Sequence, residues 1–305
     1  MSAPAAPIAV IVPTHDHAAT LPFSIGSITA QTVADLDIVI IGDGVGDDTR
    51  DAVADLRRDD PRIRFVDRPK SGRTGEPARN QVLAALESPL VAYHGDDDLM
   101  FDDHLQAMVE LIGGRDFAHP LPVYVEPGDR VRLGHFDVSQ RRWRDSIYPP
   151  VSRNVVSLTG VMHTLESYRR LPFGWRASPP GMRTDQYMWQ QYFALPGFMG
   201  VTGSRATTVK LAGVLRGDQS QAQRQVEIER WGRLVADPAF RPAWDREVDR
   251  HMRLARLRGV AMGMLVACAR PVGPRWWIAA QERALDRGRA GLPGMRTFSR
   301  TSADG

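Results

Sequence analysis

The 305-residue chain has a single cysteine, Cys268, which excludes a disulfide framework and a cysteine-ligated zinc site and fits a reducing compartment. Lysine is nearly absent, with Lys70 and Lys210 standing alone among 39 basic residues. No apolar run approaches the roughly 20 residues that a membrane-spanning helix needs, and the run Val260 to Ala269 stops at Pro271. The opening MSAPAAPIAVIVP has no basic segment and its apolar stretch ends at Pro13, so it reads as a strand and not an export signal. Cytoplasmic residence is the expectation. A net charge of +3 is small for this length, and basic residues are not interleaved with aromatics on a recognisable module, so no nucleic-acid partner is expected. Neither a P-loop nor a G-x-G-x-x-G after the first strand is present, which excludes those two phosphate cradles.

What is present is a regular alternation of elements, in a chain 43% hydrophobic and able to bury a large core. Ile8 to Val12, Ile38 to Ile41, Ile63 to Val66 and Leu90 to Tyr93 read as strands. Between and after them lie helix faces: Leu21, Ile25 and Ile28; Val53 and Leu56; Val82, Leu83 and Leu86 behind Pro77; and Leu105, Met108, Val109 and Ile112 behind an Asp102 or Asp103 cap. This pattern predicts an α/β fold with a doubly wound, mostly parallel sheet. Beyond Ile112, Val123 to Val125 and Val131 to Phe136 read as short strands, Arg141 to Pro150 as a loop, and helix signals dominate from Leu215.

The chemistry concentrates where strands end. Leu90 to Tyr93 runs into Asp96, Asp97 and Asp98, whose mutual repulsion a hard divalent cation such as Mn²⁺ or Mg²⁺ would relieve, and such an ion suggests a phosphate-bearing substrate. An EF-hand is excluded, because the loop lacks its central glycine and closing glutamate. Asp43, among Gly42, Gly44 and Gly46 after the second strand, is placed to accept a hydrogen bond from a base or ribose. Arg73 lies in a loop where it could face a base or diphosphate, whereas Arg79 and Asn80 read as structural pairing residues and His163 as a satisfied internal histidine.

Four segments in order, PTHDHAATLPFSIGSITAQT, IGDG, GEPARNQVLAAL and VAYHGDDDLMFDDHL, resemble the nucleotide-binding half of the inverting family 2 glycosyltransferases of the GT-A fold. They cover about the first third of the chain. The resemblance implies a nucleotide-sugar-binding half over 1–112, an acceptor half over 113–214, and a helical extension over 215–305 with a disordered tail from Thr297. It implies that Pro13, Thr14, His15, Asp43, Arg73 and Asp96 contact the donor, and that Asp97 and Asp98 belong to a DxD-type metal site. The family string is Asp, any residue, Asp, Asp. Here Gly95 holds the first place, so alignment on Tyr93 makes Asp97 the metal ligand, and a bare DxD reading makes it Asp98.

In the same family a Glu-Asp pair opens a later helix and its Asp is the general base. Asp185 in GMRTDQYMW is similar, with Thr184 in the place of Glu. Trp175 and Trp189 are candidates to stack on the acceptor. Glu227 to Trp231 is similar in part to the Gln-x-x-Arg-Trp motif of processive synthases, but Glu227 replaces Gln and membrane spans are missing, so processivity is discounted. Trp276, Trp277 and Ile278 with Arg283, Arg287 and Arg289 suggest peripheral membrane contact or, preferably, packing on the catalytic domain or in a homo-oligomer. The resemblance implies a metal-dependent hexosyltransferase of cell-surface polysaccharide synthesis. It would move sugar from UDP or dTDP to a hydroxyl of a glycan, lipid or small molecule. Rival readings are a sugar-phosphate nucleotidyltransferase and a catalytically silent nucleotide-sugar-binding scaffold.

Overall fold

The computed structural model describes residues 6–268, apart from 135, 150, 153–155 and 212. The segment around Trp276, expected to pack on the catalytic domain or a second copy or to contact a membrane, and the tail from Thr297 lie outside the described residues. Among the described residues, those up to Val248 form one compact unit and those from Asp249 belong to a second.

The first unit begins as the periodicity requires. Strand β1 (Ile8–Thr14), helix α1 (Leu21–Thr29), β2 (Leu36–Asp43), α2 (Asp47–Asp59), β3 (Ile63–Arg68), α3 (Glu76–Ala84) and β4 (Leu90–Tyr93) alternate without interruption. A short β5 (Leu99–Met100) follows the acidic turn and leads into α4 (His104–Ile112). Next come β6 (Phe117–His119), β7 (Val123–Glu126), β8 (Arg130–Leu133), α5 (Arg141–Asp145), β9 (Met162–Thr164), α6 (Leu165–Arg169) and α7 (Thr184–Phe193). Strands β10 (Gly200–Thr202) and β11 (Thr208–Val209) precede α8 (Gln221–Ala236) and α9 (Phe240–Cys268). No described helix is long and apolar enough to cross a membrane.

The main sheet has the order β10-β6-β9-β4-β1-β2-β3. β1 pairs in parallel with β2 and β4, and β2 with β3, while β9 runs antiparallel between β4 and β6. Successive side chains of a strand point to opposite faces, so an unbroken apolar strand must be covered on both sides. Accordingly Ala9 and Ile11 of β1 pack with α3 and α7 residues, including Val82, Leu83, Met188 and Trp189. Ile8, Val10 and Val12 pack on the other face with Leu21, Ile25 and Ile28 of α1 and Leu105 and Met108 of α4. The result is a three-layer α/β/α sandwich in which β1, β2 and β4 release their chain ends on one edge.

Two local expectations change. Arg141 to Pro150 contains the short helix α5, whose sequence RRWRD has no apolar period to announce it; Arg144 holds it by donating to the Val138 and Ser139 carbonyls. Asp103 is the N-terminal residue of α4 but makes no side-chain cap bond, because its carboxylate pairs with Arg205 and, at 2.8 Å, Arg241.

Candidate active site

At the edge where β1, β2 and β4 end lies a cavity of about 360 Å³, lined by Pro13, Thr14, His15, His17, Asp43, Lys70, Thr74, Arg79, Asp96, Leu158, Thr184 and Asp185. Open α/β sheets place ligands at this edge because strand ends and loops from separate units converge there. Six of the residues expected at a site from the sequence meet here: Pro13, Thr14, His15, Asp43, Asp96 and Asp185. Arg73, Asp97, Asp98, Trp175 and Trp189 do not line this cavity.

Asp43, at the last position of β2, is 4% exposed. Lys70 donates to its Oδ2 at 2.5 Å and the Ser71 backbone N–H to its Oδ1 at 2.7 Å. Burial alone would raise this carboxyl, but the Lys70 and Ser71 hydrogen bonds outweigh it and hold Asp43 below its ordinary value. Gly44 makes this approach feasible. It has a φ of +68°, and a Cβ there would stand 2.5 Å from Lys70 Cβ. Arg73 turns away from the cavity and donates to Ser178 Oγ and the Met182 carbonyl.

The acidic turn separates into three different carboxylates. Asp98 is fully buried and both its oxygens are taken: Lys210 donates to Oδ2 at 2.9 Å, Thr159 to the same oxygen, and the Leu211 N–H to Oδ1 at 2.8 Å. Burial would raise its carboxyl, yet Lys210 and Thr159 bring it below the ordinary value. Asp97 shows the opposite balance. Burial and repulsion from Asp98 and Asp96 push it up, and Arg224 holds only its Oδ2, at 2.5 Å. Asp96 faces the cavity with His17 Nδ1 2.8 Å from Oδ1, and the Asp96 carboxylate raises the His17 imidazole above its ordinary value despite burial. Among the described residues no cluster of three His, Cys, Asp or Glu side chains forms a ready-made metal cage. Gly95 is packed tightly as well: a Cβ there would lie 2.8 Å from Asp98 Oδ2 and 3.0 Å from Thr159 Oγ1, so a side chain cannot enter this position without displacing the buried pair.

Asp185 sits in the first turn of α7, with Oδ1 accepting from the Gln186 N–H. Beside it, Thr184 donates to Glu76 Oε1 at 2.6 Å. Glu76 opens α3, is fully buried, and also accepts from the Thr74 N–H and hydroxyl. The acid that is missing at position 184 is thus matched by one arriving from α3. Arg79, one turn further on, is buried over the Trp175 ring at 4.3 Å and lines the cavity, with its Nε lacking a hydrogen-bond partner.

Trp175 and Trp189 are 1% and 0% exposed. Trp175 donates to Tyr93 Oη at 2.9 Å and Trp189 to the Val156 carbonyl at 3.1 Å, within the aromatic core formed with Phe117 and Tyr192. Rings covered in this way have no open face for a sugar, and helical spacing of aromatics more often reports core. His163 is fully buried and bonded to Tyr93 Oη and the Thr164 carbonyl. His17, Lys70, Glu76, Arg79, Lys210 and Arg224 join the site without having been named for it from the sequence, although His17, Glu76 and Arg79 lie within two of the four segments that carry the resemblance. Lys70 and Lys210 carried a signal nonetheless, being the two lysines in a chain that otherwise uses arginine.

Comparison with known proteins now decides the affiliation. The model described as Glycosyl transferase family 2 matches residues 9–163, half of the chain. The chain belongs to this family. An uncharacterized glycosyltransferase of Nostoc sp. is 34% identical over 110 residues, covering 36% of this chain and 34% of that protein. The family 2 member described here thus spans about a third of that relative's length. Among solved structures, S. aureus TarS 1-349 in complex with UDP-GlcNAc superimposes with a TM-score of 0.53 at 16% identity, over 67% of this chain and 58% of that one. The mannosyltransferase PcManGT of Pyrobaculum calidifontis, in complex with GDP-Man and Mn²⁺, gives 0.50 at 17% identity over 93% and 81%. Both likenesses establish the shared glycosyltransferase fold, and both neighbours hold nucleotide sugars.

Proposed function

We propose that this family 2 glycosyltransferase moves a sugar, with inversion, from a UDP or dTDP donor to a hydroxyl of a glycan, lipid or small molecule. The observation that carries the reading is the cavity joining Asp43 at the end of β2, Asp96 in the β4–β5 turn and Asp185 in the first turn of α7. Asp43, held ionised by Lys70 and Ser71, is a hydrogen-bond acceptor for the ring N–H of uracil or thymine. Pro13, Thr14 and His15 form the wall beside it at the end of β1. Asp185 is the general base that takes the proton of the attacking hydroxyl, and the Glu76–Thr184 contact positions the helix turn that bears it.

The donor set fits a divalent cation, Mn²⁺ or Mg²⁺. Such an ion needs one or two carboxylates when a diphosphate supplies further oxygens, and Asp97 has an oxygen outside the Arg224 contact while Asp98 has neither to spare. When bound, the ion would supply Lewis-acid neutralisation of the leaving diphosphate. Asp97 is the residue that would hold it, with Asp96 alongside.

The test is calorimetric titration with UDP, dTDP, GDP and CDP, each with and without Mn²⁺, on wild type and Asp97→Ala. Metal-dependent binding of a uridine or thymidine diphosphate, lost in Asp97→Ala, is expected; no binding of any of them overturns the reading. Asp185→Asn should still bind the donor but lose transfer by about 10²-fold or more. Unchanged transfer would remove Asp185 from the role of base.

A further inference from the structure

Each carboxylate of the β4–β5 turn faces a basic side chain supplied by the chain: His17 at Asp96, Arg224 at Asp97 and Lys210 at Asp98. The three are held in different ways. Lys210 directly follows β11, which pairs with β5, and the next backbone N–H also bonds Asp98, so Lys210 is built into the turn it neutralises. His17 belongs to the loop that follows β1. Arg224 comes from the first turns of α8, whose other polar contact on this rim is Gln221 donating to the Asp16 carbonyl at 2.8 Å.

The Arg224 guanidinium spans the gap between two sites, with Nη2 on Asp97 Oδ2 at 2.5 Å and Nη1 3.2 Å from His17 Nε2. Both members of the ion pair are largely shielded, with side-chain exposures of 14% for Arg224 and 16% for Asp97. Gly213 closes the third side, where a Cβ would stand 3.1 Å from Asp97 Oδ2 and 3.2 Å from Arg224 Nη2. A divalent ion on the other oxygen of Asp97 would stand beside this guanidinium, and two cations on one largely shielded carboxylate repel strongly.

We propose that Arg224 is an exchangeable counter-cation: it holds Asp97 while no divalent ion is bound, competes with that ion for the carboxylate, and on displacement releases the first turns of α8 from the cavity rim. This rests on the reading of Asp97 as a metal-binding carboxylate. The competition is reciprocal, so whatever Arg224 contributes to holding Asp97 is lost from the affinity for the ion. Freed from Asp97, the guanidinium is a planar, multidentate donor suited to phosphate oxygens at the same rim.

Binding of Mn²⁺ alone, followed by electron paramagnetic resonance of the free ion, tests the exchange. Arg224→Gln should bind Mn²⁺ at least ten-fold more tightly than wild type, Arg224→Lys should return toward the wild-type affinity, and Asp97→Ala should abolish binding in each background. On wild-type protein, Mn²⁺ should raise amide hydrogen exchange in residues 221–224, a readout that stands even if a variant fails to fold. Equal or weaker Mn²⁺ binding by a folded Arg224→Gln, or unchanged exchange in that segment, overturns the proposal. If wild type nonetheless shows Mn²⁺-dependent nucleotide binding, the transferase reading survives that result. Absence of both Mn²⁺ and nucleotide binding in all variants overturns the two together.

Discussion

Asp96, Asp97 and Asp98 are identical in type and adjacent in sequence, yet their surroundings give them three different tasks. Asp98 is fully buried with all its partners internal, so it is a structural acid tying β11 to the β4–β5 turn. Removing one member of a buried ion pair leaves the other charge without compensation, at a cost of about 3–5 kcal/mol. Lys210→Met should therefore lower unfolding stability by about 3 kcal/mol, toward the lower end because the lysine side chain keeps 24% exposure; chemical denaturation measures it. Asp97→Ala removes a carboxyl that burial and repulsion from Asp98 and Asp96 already push up, so it should cost less stability than Lys210→Met while affecting ligand binding. An equal or larger stability loss in Asp97→Ala would contradict this division. The acidic cluster itself was legible in sequence, where alignment on Tyr93 favoured Asp97 over the Asp98 of a bare DxD reading. Only the fold shows that Lys210 and Leu211, more than a hundred residues away, occupy both oxygens of Asp98.

Among the elements, α8 is the one that carries Arg224 to the acidic turn. Its start is locally encoded: Ser220 and Gln223 form a reciprocal capping box. Its placement is tertiary. Glu227 accepts two hydrogen bonds from Arg216, each 2.6 Å, with Arg216 side-chain exposure at only 1%. Arg230 pairs with Asp129, and Trp231 donates to the same carboxylate. The segment that is partly similar to a processive-synthase motif thus serves here to dock a helix. Glu227→Ala should destabilise the chain by about 3 kcal/mol, because it removes the carboxylate from a buried guanidinium that keeps its bond to the Val125 carbonyl, and it should loosen α8 before the sheet. Hydrogen exchange resolved by segment would show the loss confined first to residues 221–236; uniform loss would mean that α8 and the sheet unfold together.

Across the whole molecule, the burial that builds the core also sets its acid tolerance. His104, His119 and His163 are fully buried, and desolvation lowers their imidazoles to about 3, 3 and 4 respectively. Unfolded, the same groups take up protons near 6.5. Between these values the unfolded chain binds more protons than the folded one, so stability is full above pH 6.5 and falls as pH drops toward 4. Each tenfold difference in proton affinity between the two states is worth about 1.4 kcal/mol. The three histidines together should therefore cost several kcal/mol as the pH falls from 7 to 5, visible as a falling denaturation midpoint. A midpoint constant over that range would mean that these histidines are hydrated or paired in the folded state.

The α/β order and the strands of the first half were determined by sequence alone, because apolar periodicity and turn chemistry act over a few residues. Thr14, Asp43 and Asp96 were marked through the resemblance, and the fold brings them to one cavity. The placement of Asp185 in the same cavity required the closed sheet, with β9 inserted antiparallel between β4 and β6. Trp175 and Trp189 show the reverse limit: an aromatic at helical spacing has the same local signature whether it faces a ligand or the core, and only packing against Tyr93 and Phe117 chose the core. The basic side chains His17, Lys210 and Arg224 had no signal near the carboxylates they face, since electrostatic and hydrogen-bond pairing acts through space and is indifferent to separation along the chain.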